Sequence, residues 1–98
     1  MKVTKTMNGT TLTAALEGRL DTTTSPELER EMKDELGKAE ALIMDLSGLE
    51  YISSAGLRLM LSFHKAMAGK GGMKVVHANE MVMEVFDITG FSDILDIE

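Results

Sequence analysis

The sequence predicts an α/β fold, with one mixed β-sheet, helices packed on the sheet and the element order β-β-α-β-α-β-α-β. Asn8-Gly9 separates two β-prone segments, which indicates an antiparallel hairpin at the start. The short apolar run at 41–46 is typical of a strand buried in a helix-covered sheet. Apolar residues recur every three or four positions in longer segments, which indicates amphipathic helices. Right-handed crossovers would then bring the later strands into parallel register.

The first half of the chain supplies the hairpin and one helix. The hairpin is expected between Val3 and Gly18, and the Thr-rich run before Gly18 suits a pleated strand. The helix is expected to begin at Ser25, which can cap it, with Pro26 in the first helical position. It should end near Gly37, and its apolar stripe consists of Leu28, Met32, Leu36 and Ala39.

The second half alternates helices and strands. A strand-to-helix corner at 49–55 leads into a helix at 56–68 that is apolar over most of its surface. A strand follows at 73–78. Asn79 can cap a short helix that Gly90 ends, and 94–97 form a final short strand.

Composition limits the class of protein. Ninety-eight residues suggest one domain, residues 1–98, and 44% apolar and 27% charged residues are ordinary for a globular protein. The absence of Cys excludes disulfides, a thiolate nucleophile and Cys-based metal sites. No apolar run reaches the ~18 residues of a membrane span, and the N-terminus shows no secretory signal, so a cytoplasmic protein is expected.

The charge is unevenly distributed. Sixteen acidic and ten basic residues give a net charge of −6, and residues 75–98 contain six acids but no Lys or Arg. Such a surface repels phosphate backbones and anionic lipid, so neither nucleic acid nor a membrane is an expected partner. Gly69–Gly72 is too short for a phosphate-binding loop, and two isolated histidines do not form a metal site, so no cofactor or metal is expected.

Two hydroxyls, those of Ser53 and Ser54, lie at the predicted start of the second helix, beyond the end of a strand. Open α/β sheets bind ligands at this position, and a helix N-terminus favours anions. A phosphate there would add a charge of about −1.5 to −2. Serine is also a good helix cap worth ~1 kcal/mol, so the residues alone leave a purely structural role open.

Residues 51–61, Tyr-Ile-Ser-Ser-Ala-Gly-Leu-Arg-Leu-Met-Leu, resemble the signature of STAS domains, the family of bacterial anti-sigma-factor antagonists. Four further segments resemble this family in the right order, so the resemblance covers nearly the whole chain: 18–21, 42–47, 72–76 and 85–91. Many members continue into a terminal helix, which this chain is expected to lack. One face of the sheet would then be exposed or paired with another chain.

The resemblance implies an anti-sigma-factor antagonist, not an enzyme, that binds an anti-sigma factor serine kinase when unphosphorylated and thereby frees the sigma factor. The kinase would phosphorylate Ser54, two residues before Gly56, and a metal-dependent serine phosphatase would remove the phosphate. Ser53 stands where many members carry Asp, which makes it a second candidate acceptor. A monomer or weak homodimer is expected. The predicted partner-binding residues are Asp21, Thr22, Ser53, Ser54, Ala55, Gly56, Leu57 and Arg58.

Two alternatives remain at this point. A small hydrolase using Ser54 needs a base, and ten helical residues separate Ser54 from His64 by roughly 15 Å, which leaves His77 or an acid. A STAS module that binds an anion or another domain without phosphorylation is the other alternative. Asp45, at the end of the predicted central strand, is expected to accept backbone N–H bonds at the corner.

Overall fold

The computed structural model describes residues 1–98. It contains five strands and three helices in the predicted order, together with a short 3₁₀ turn, Phe91–Asp93, that the sequence did not predict. The elements are β1 (Lys2–Asn8), β2 (Thr11–Leu20), α1 (Thr24–Lys38), β3 (Ala41–Ile52), α2 (Ser54–Met67), β4 (Met73–Val76), α3 (Glu80–Thr89) and β5 (Asp96–Ile97). None of the helices is both long and apolar enough to cross a membrane.

The sheet is mixed, as predicted. Its strand order is β1-β2-β3-β4-β5, in which β1 and β2 are antiparallel and the other neighbours are parallel. Every crossover steps to the next strand in the same direction. Right-handed crossovers therefore place all three helices on one face of the sheet.

The core lies between the sheet and these helices. Alternate residues of β2 and β3 are buried, as period-2 pleating requires. The helices contribute buried side chains that include Met32 from α1, Met60 and Phe63 from α2, and Phe86 from α3. The opposite face carries half-exposed small or β-branched residues, among them Thr11, Thr13, Ala15, Ile43 and Val76.

The predicted end of the central strand was wrong, because β3 continues to Ile52. The pairing of β2 with β3 shifts register between Ala15 and Glu17, and Leu46 and Leu49 are both buried on either side of this irregularity. A side chain at Gly48 would clash there, since a Cβ atom would lie 2.6 Å from Glu17 Cγ. The polar Ser-Gly pair therefore marks a bulge inside a strand, and α2 begins at 54 instead of 56.

The predicted start of α1 was also wrong. The helix begins at Thr24, and Asp21 Oδ1 accepts the backbone N–H groups of Thr23 and Thr24, each at 3.0 Å. Ser25 is instead buried, and its Oγ has no hydrogen-bond partner. Pro26 fits as the third helical residue because the first four N–H groups of a helix have no partner within it.

The caps predicted for α3 are confirmed. Asn79 Oδ1 accepts the backbone N–H of Val82 at 2.8 Å, and Gly90 follows the helix in the left-handed conformation. The preceding strand is shorter than predicted, since β4 stops at Val76 and His77 adopts a left-handed φ of 61°.

Candidate functional site

The candidate site is the corner between β3 and α2, and Ser53 fixes its geometry. Ser53 is the N-cap of α2 and has extended backbone angles. Its Oγ accepts the backbone N–H of Gly56 at 3.3 Å, and its own N–H donates to the carbonyl of Leu20 at 2.9 Å. The hydroxyl of Ser53 is therefore engaged in capping the start of α2.

Ser54 follows as the first residue of α2 and is exposed. No side-chain hydrogen bond of the chain engages its hydroxyl, and the first turn of α2 holds no acidic residue. The Ser54 hydroxyl is thus free at the positive end of a 14-residue helix.

Gly56 and Leu57 lie beneath this surface. Gly56 is buried, and a Cβ atom there would come within 2.8 Å of Ile52 Cγ1 and 2.9 Å of Leu20 Cγ. Leu57 is only 6% exposed and belongs to the core. These two residues allow α2 to approach the ends of β2 and β3 closely and so position Ser54.

The loop between β2 and α1 lies beside the corner. The Asp21 carboxylate accepts the backbone N–H groups of Thr24 and Thr23, and these bonds, that of Thr24 foremost, lower its pKa. Thr22, Ala55 and Arg58 line one cavity of about 380 Å³ between the starts of α1 and α2. The structure thus brings residues 21–22 and 53–58 of the sequence prediction to one end of the molecule.

Asp45 and His77 form a separate pair. Asp45 Oδ1 accepts the backbone N–H of Ser47 at 3.0 Å, as predicted, and lies 3.1 Å from Nδ1 of His77. Burial opposes ionisation of Asp45, but the bonds from Ser47 and His77 outweigh it and lower the pKa of Asp45.

Neither histidine is hydrogen-bonded to Ser54 as a general base would be. His77 is hydrogen-bonded to Asp45, and the Nδ1 atom of His64 is buried without a partner. A hydrolase mechanism needs a base within hydrogen-bond reach of the nucleophile, and no side-chain hydrogen bond reaches the Ser54 hydroxyl from either imidazole.

Sequence reasoning missed two features near the corner. Arg19 lies over the ring of Tyr51, with its guanidinium carbon 4.2 Å from the ring centroid, in the strand ends that lead to the two loops. The two residues are cross-strand neighbours only because of the register shifts between β2 and β3, which no local pattern reveals. The second feature is a cavity of about 500 Å³ between α1 and α2, which requires knowledge of helix packing.

Comparison with known families identifies the class. The family described as the STAS domain matches residues 2–98. The chain therefore belongs to the STAS domain family. The anti-sigma factor antagonists of this family are regulatory proteins and not enzymes.

Among the proteins similar to this chain are several anti-sigma factor antagonists. BtrV of Bordetella bronchiseptica, provisionally named an anti-sigma factor antagonist, is 34% identical over 99 residues, which cover 99% of this chain and 85% of BtrV. The crystal structure of an anti-sigma factor antagonist from Mycobacterium paratuberculosis shares the fold with a TM-score of 0.89 at 21% identity, covering 98% of this chain and 83% of that one. The phosphorylated form of SpoIIAA, a Bacillus cell fate determinant, has a TM-score of 0.75 at 17% identity, covering 99% and 91%.

Proposed function

We propose that the protein is an anti-sigma-factor antagonist whose binding to an anti-sigma serine kinase is switched off by phosphorylation of Ser54. The observation that carries this proposal is the contrast between the two serines at the corner. Ser53 is held by the backbone N–H of Gly56, whereas the Ser54 hydroxyl is exposed and unbonded.

An acceptor hydroxyl must enter the active site of another protein. Ser54 does so without breaking any hydrogen bond of the chain. Transfer to Ser53 would instead require its Oγ to leave the N–H of Gly56, a capping bond worth ~1 kcal/mol. Ser54 is therefore the better acceptor, and Ser53 remains the second candidate.

The electrostatics of the corner favour a phosphate at Ser54. A helix N-terminus stabilises negative charge, and no acidic side chain occupies the first turn of α2. Arg58 follows Ser54 by four residues and therefore lies on the same side of the helix. It can partner the new oxygens.

The same charge explains how phosphorylation turns binding off. In the proposed interface, the kinase contacts exposed residues of the corner, including Thr22, Ser54 and Arg58. A phosphate adds a charge of about −1.5 to −2 and three acceptor oxygens in the middle of this surface. It blocks close approach, and a metal-dependent serine phosphatase restores the binding form.

The relatives support this assignment. BtrV carries the name of an anti-sigma factor antagonist, and the related fold of SpoIIAA is known in a phosphorylated form. The expected partners are an anti-sigma factor with kinase activity and its opposing phosphatase, both acting in the bacterial cytoplasm, where ATP is available.

The acceptor is tested by intact-mass measurement after co-expression with an anti-sigma kinase encoded near this chain in its genome. The wild type and Ser53→Ala should each gain one phosphoryl group, whereas Ser54→Ala should gain none. Ser62→Ala, an exposed serine farther along α2, is the matched control and should be modified like the wild type. Equal phosphate uptake by Ser54→Ala would exclude Ser54 as the acceptor.

Binding is tested by calorimetric titration of the kinase with the two forms. The unmodified protein should bind and the phosphorylated protein should bind more weakly. If no kinase modifies the chain, a STAS module that binds a ligand or another domain without phosphorylation becomes the better description.

A further inference from the structure

A continuous groove runs between α1 and α2, away from the Ser54 corner. Its two cavities, of about 380 and 500 Å³, share Glu29 and Ser62 as lining residues, so they adjoin each other. Apolar side chains of both helices line it, namely Leu36, Leu59 and Phe63. We call this surface the α1–α2 groove.

The α1–α2 groove is cationic, although the whole chain carries a charge of −6. Four basic side chains line it against a single carboxylate, that of Glu29: Arg30, Lys33, Arg58 and Lys70. None of the four lies within 4.0 Å of a carboxylate, because the ion pairs of the chain are Lys5–Glu35, Lys74–Glu98 and His77–Asp45. The wall also holds Ser25, which is 6% exposed and whose Oγ has no partner.

The outer face of α3 has the complementary character. Ile88 is 86% exposed and Met81 is 55% exposed, and their spacing of seven residues puts them on one side of the helix with Glu84 between them. Glu80 and Asp87 flank this side, and α3 contains no basic residue. Ile88 and Met81 both lie outside the core, and together they form an exposed apolar patch bordered by carboxylates on one side of α3.

We propose that the outer face of α3 in one copy of this chain docks into the α1–α2 groove of a second copy. Ile88 and Met81 would cover the apolar floor of the groove, and the α3 carboxylates would face its unpaired cations. The lengths agree, since ten residues of α3 span about 15 Å and the fourteen of α2 about 21 Å. A two-fold axis that seats α3 of each copy in the groove of the other would make both contacts at once and close a symmetric pair.

Self-association would compete with the kinase. The groove begins at Ala55 and Arg58, which belong to the proposed kinase-binding corner. A copy seated in the groove would therefore shield this corner at high protein concentration. The competition rests on the proposed function, because it involves the kinase. The pairing of two copies does not depend on that function.

Sedimentation velocity of the purified chain over a range of concentrations tests the pairing without any kinase. Association should be evident at about 0.1 M salt and its dissociation constant should rise about tenfold or more at about 1 M, where the Debye length falls from ~10 to ~3 Å. Two charge-reversed proteins follow from the geometry. They are Lys33→Glu with Lys70→Glu in the groove, and Glu84→Lys with Asp87→Lys on α3.

Each reversed protein alone should be monomeric, and an equimolar mixture of the two should associate again. Ile88→Ser should also abolish association without unfolding the chain, because Ile88 lies outside the core. Ile94→Ser, at a 46% exposed isoleucine outside α3, is the matched control and should associate like the wild type. Circular dichroism verifies that each variant is folded.

Three results would overturn the proposal. They are a wild type that stays monomeric at every concentration in low salt, a folded Ile88→Ser that associates undiminished, and folded reversed proteins that fail to associate on mixing. Each would leave the groove to a different occupant, such as an acidic segment of another protein. The assignment of Ser54 as the acceptor would be unaffected, since phosphate uptake is measured separately.

Discussion

Replacing Gly56 by alanine tests how closely α2 is seated against the ends of β2 and β3. The added Cβ would meet Ile52 Cγ1 at 2.8 Å, Leu20 Cγ at 2.9 Å and the backbone oxygen of Leu20 at 3.0 Å. Two of these atoms belong to buried side chains, and the third is main chain that pairs with β3. None of them is the end of a flexible side chain, so α2 itself must shift.

Two opposing effects determine how much Gly56→Ala changes the free energy of unfolding. Alanine in place of glycine favours a helix by ~1 kcal/mol, whereas one extra carbon in a packed core costs about 1–3 kcal/mol. The three contacts at or below 3.0 Å place Gly56 in the upper part of this range. We therefore expect a net loss of about 1–2 kcal/mol, which lowers the midpoint of thermal unfolding by ~4 °C or more in a domain of this size.

Gly37→Ala is the matched control, because Gly37 is also helical and a Cβ there meets nothing within 4 Å. It should keep the propensity gain and stabilise the protein by about 0.5 kcal/mol. Urea and thermal unfolding measure both variants. If Gly56→Ala proves as stable as Gly37→Ala, the close packing of α2 against Leu20 and Ile52 is not what requires glycine.

Three further predictions concern capping and charge. Asn79→Ala should lower the free energy of unfolding by about 1–2 kcal/mol, more than loss of an ordinary cap, because Asn79 both caps α3 and donates to the Leu49 carbonyl at 2.9 Å. Asn79→Ser, which keeps only the cap, should recover part of this loss in urea unfolding. Ser53→Ala should lower the free energy of unfolding by ~1 kcal/mol, whereas Ser53→Asp should leave it unchanged because a carboxylate caps equally well. Equal losses in both variants would contradict the capping role. The lowered pKa of Asp45 means that its stabilising bonds to Ser47 and His77 are complete above the ordinary carboxyl pKa of about 4 and are lost as the pH falls through the lower folded value. The stability difference between wild type and Asp45→Asn should therefore be larger above the ordinary carboxyl pKa than below the lowered pKa of Asp45, and a difference that grows in acid would have the wrong sign.

Local signals predicted the elements whose determinants are local. The hairpin, the Asn79 cap and the Gly90 stop each depend on a few residues, and the structure confirms all three, although the turn is formed by Gly9 and Thr10 and Asn8 ends β1. The order of strands and helices followed from them, because periodicity and turn chemistry are read within short windows.

One error came from a local hydrogen bond at a neighbouring residue, and the other from the pairing of distant segments. Asp21, four residues before Ser25, accepts the N–H groups of Thr23 and Thr24, so α1 begins at Thr24, before the cap that was predicted at Ser25. The extension of β3 to Ile52 depends on the bulged pairing with β2, which packs Gly48 against Glu17. No pattern within either segment carries that information.

The position of the candidate site could be predicted from the sequence, but the different roles of its two serines could not. The Ser-Ser-x-Gly corner stands out in the sequence, yet only the structure shows that Ser53 is bonded and Ser54 is free. The α1–α2 groove was not predictable, because it is created by the packing of two helices whose facing residues lie about 30 positions apart.

The order of the strands also bears on how the chain folds during its synthesis. Each strand pairs with the one made immediately before it, so no later segment has to insert between two earlier ones. The growing sheet can therefore be extended one crossover at a time as the polypeptide leaves the ribosome, and each addition closes only a single connection. Until β4 and its successors arrive, the apolar edge of β3 is the surface most exposed to misassembly with other nascent chains.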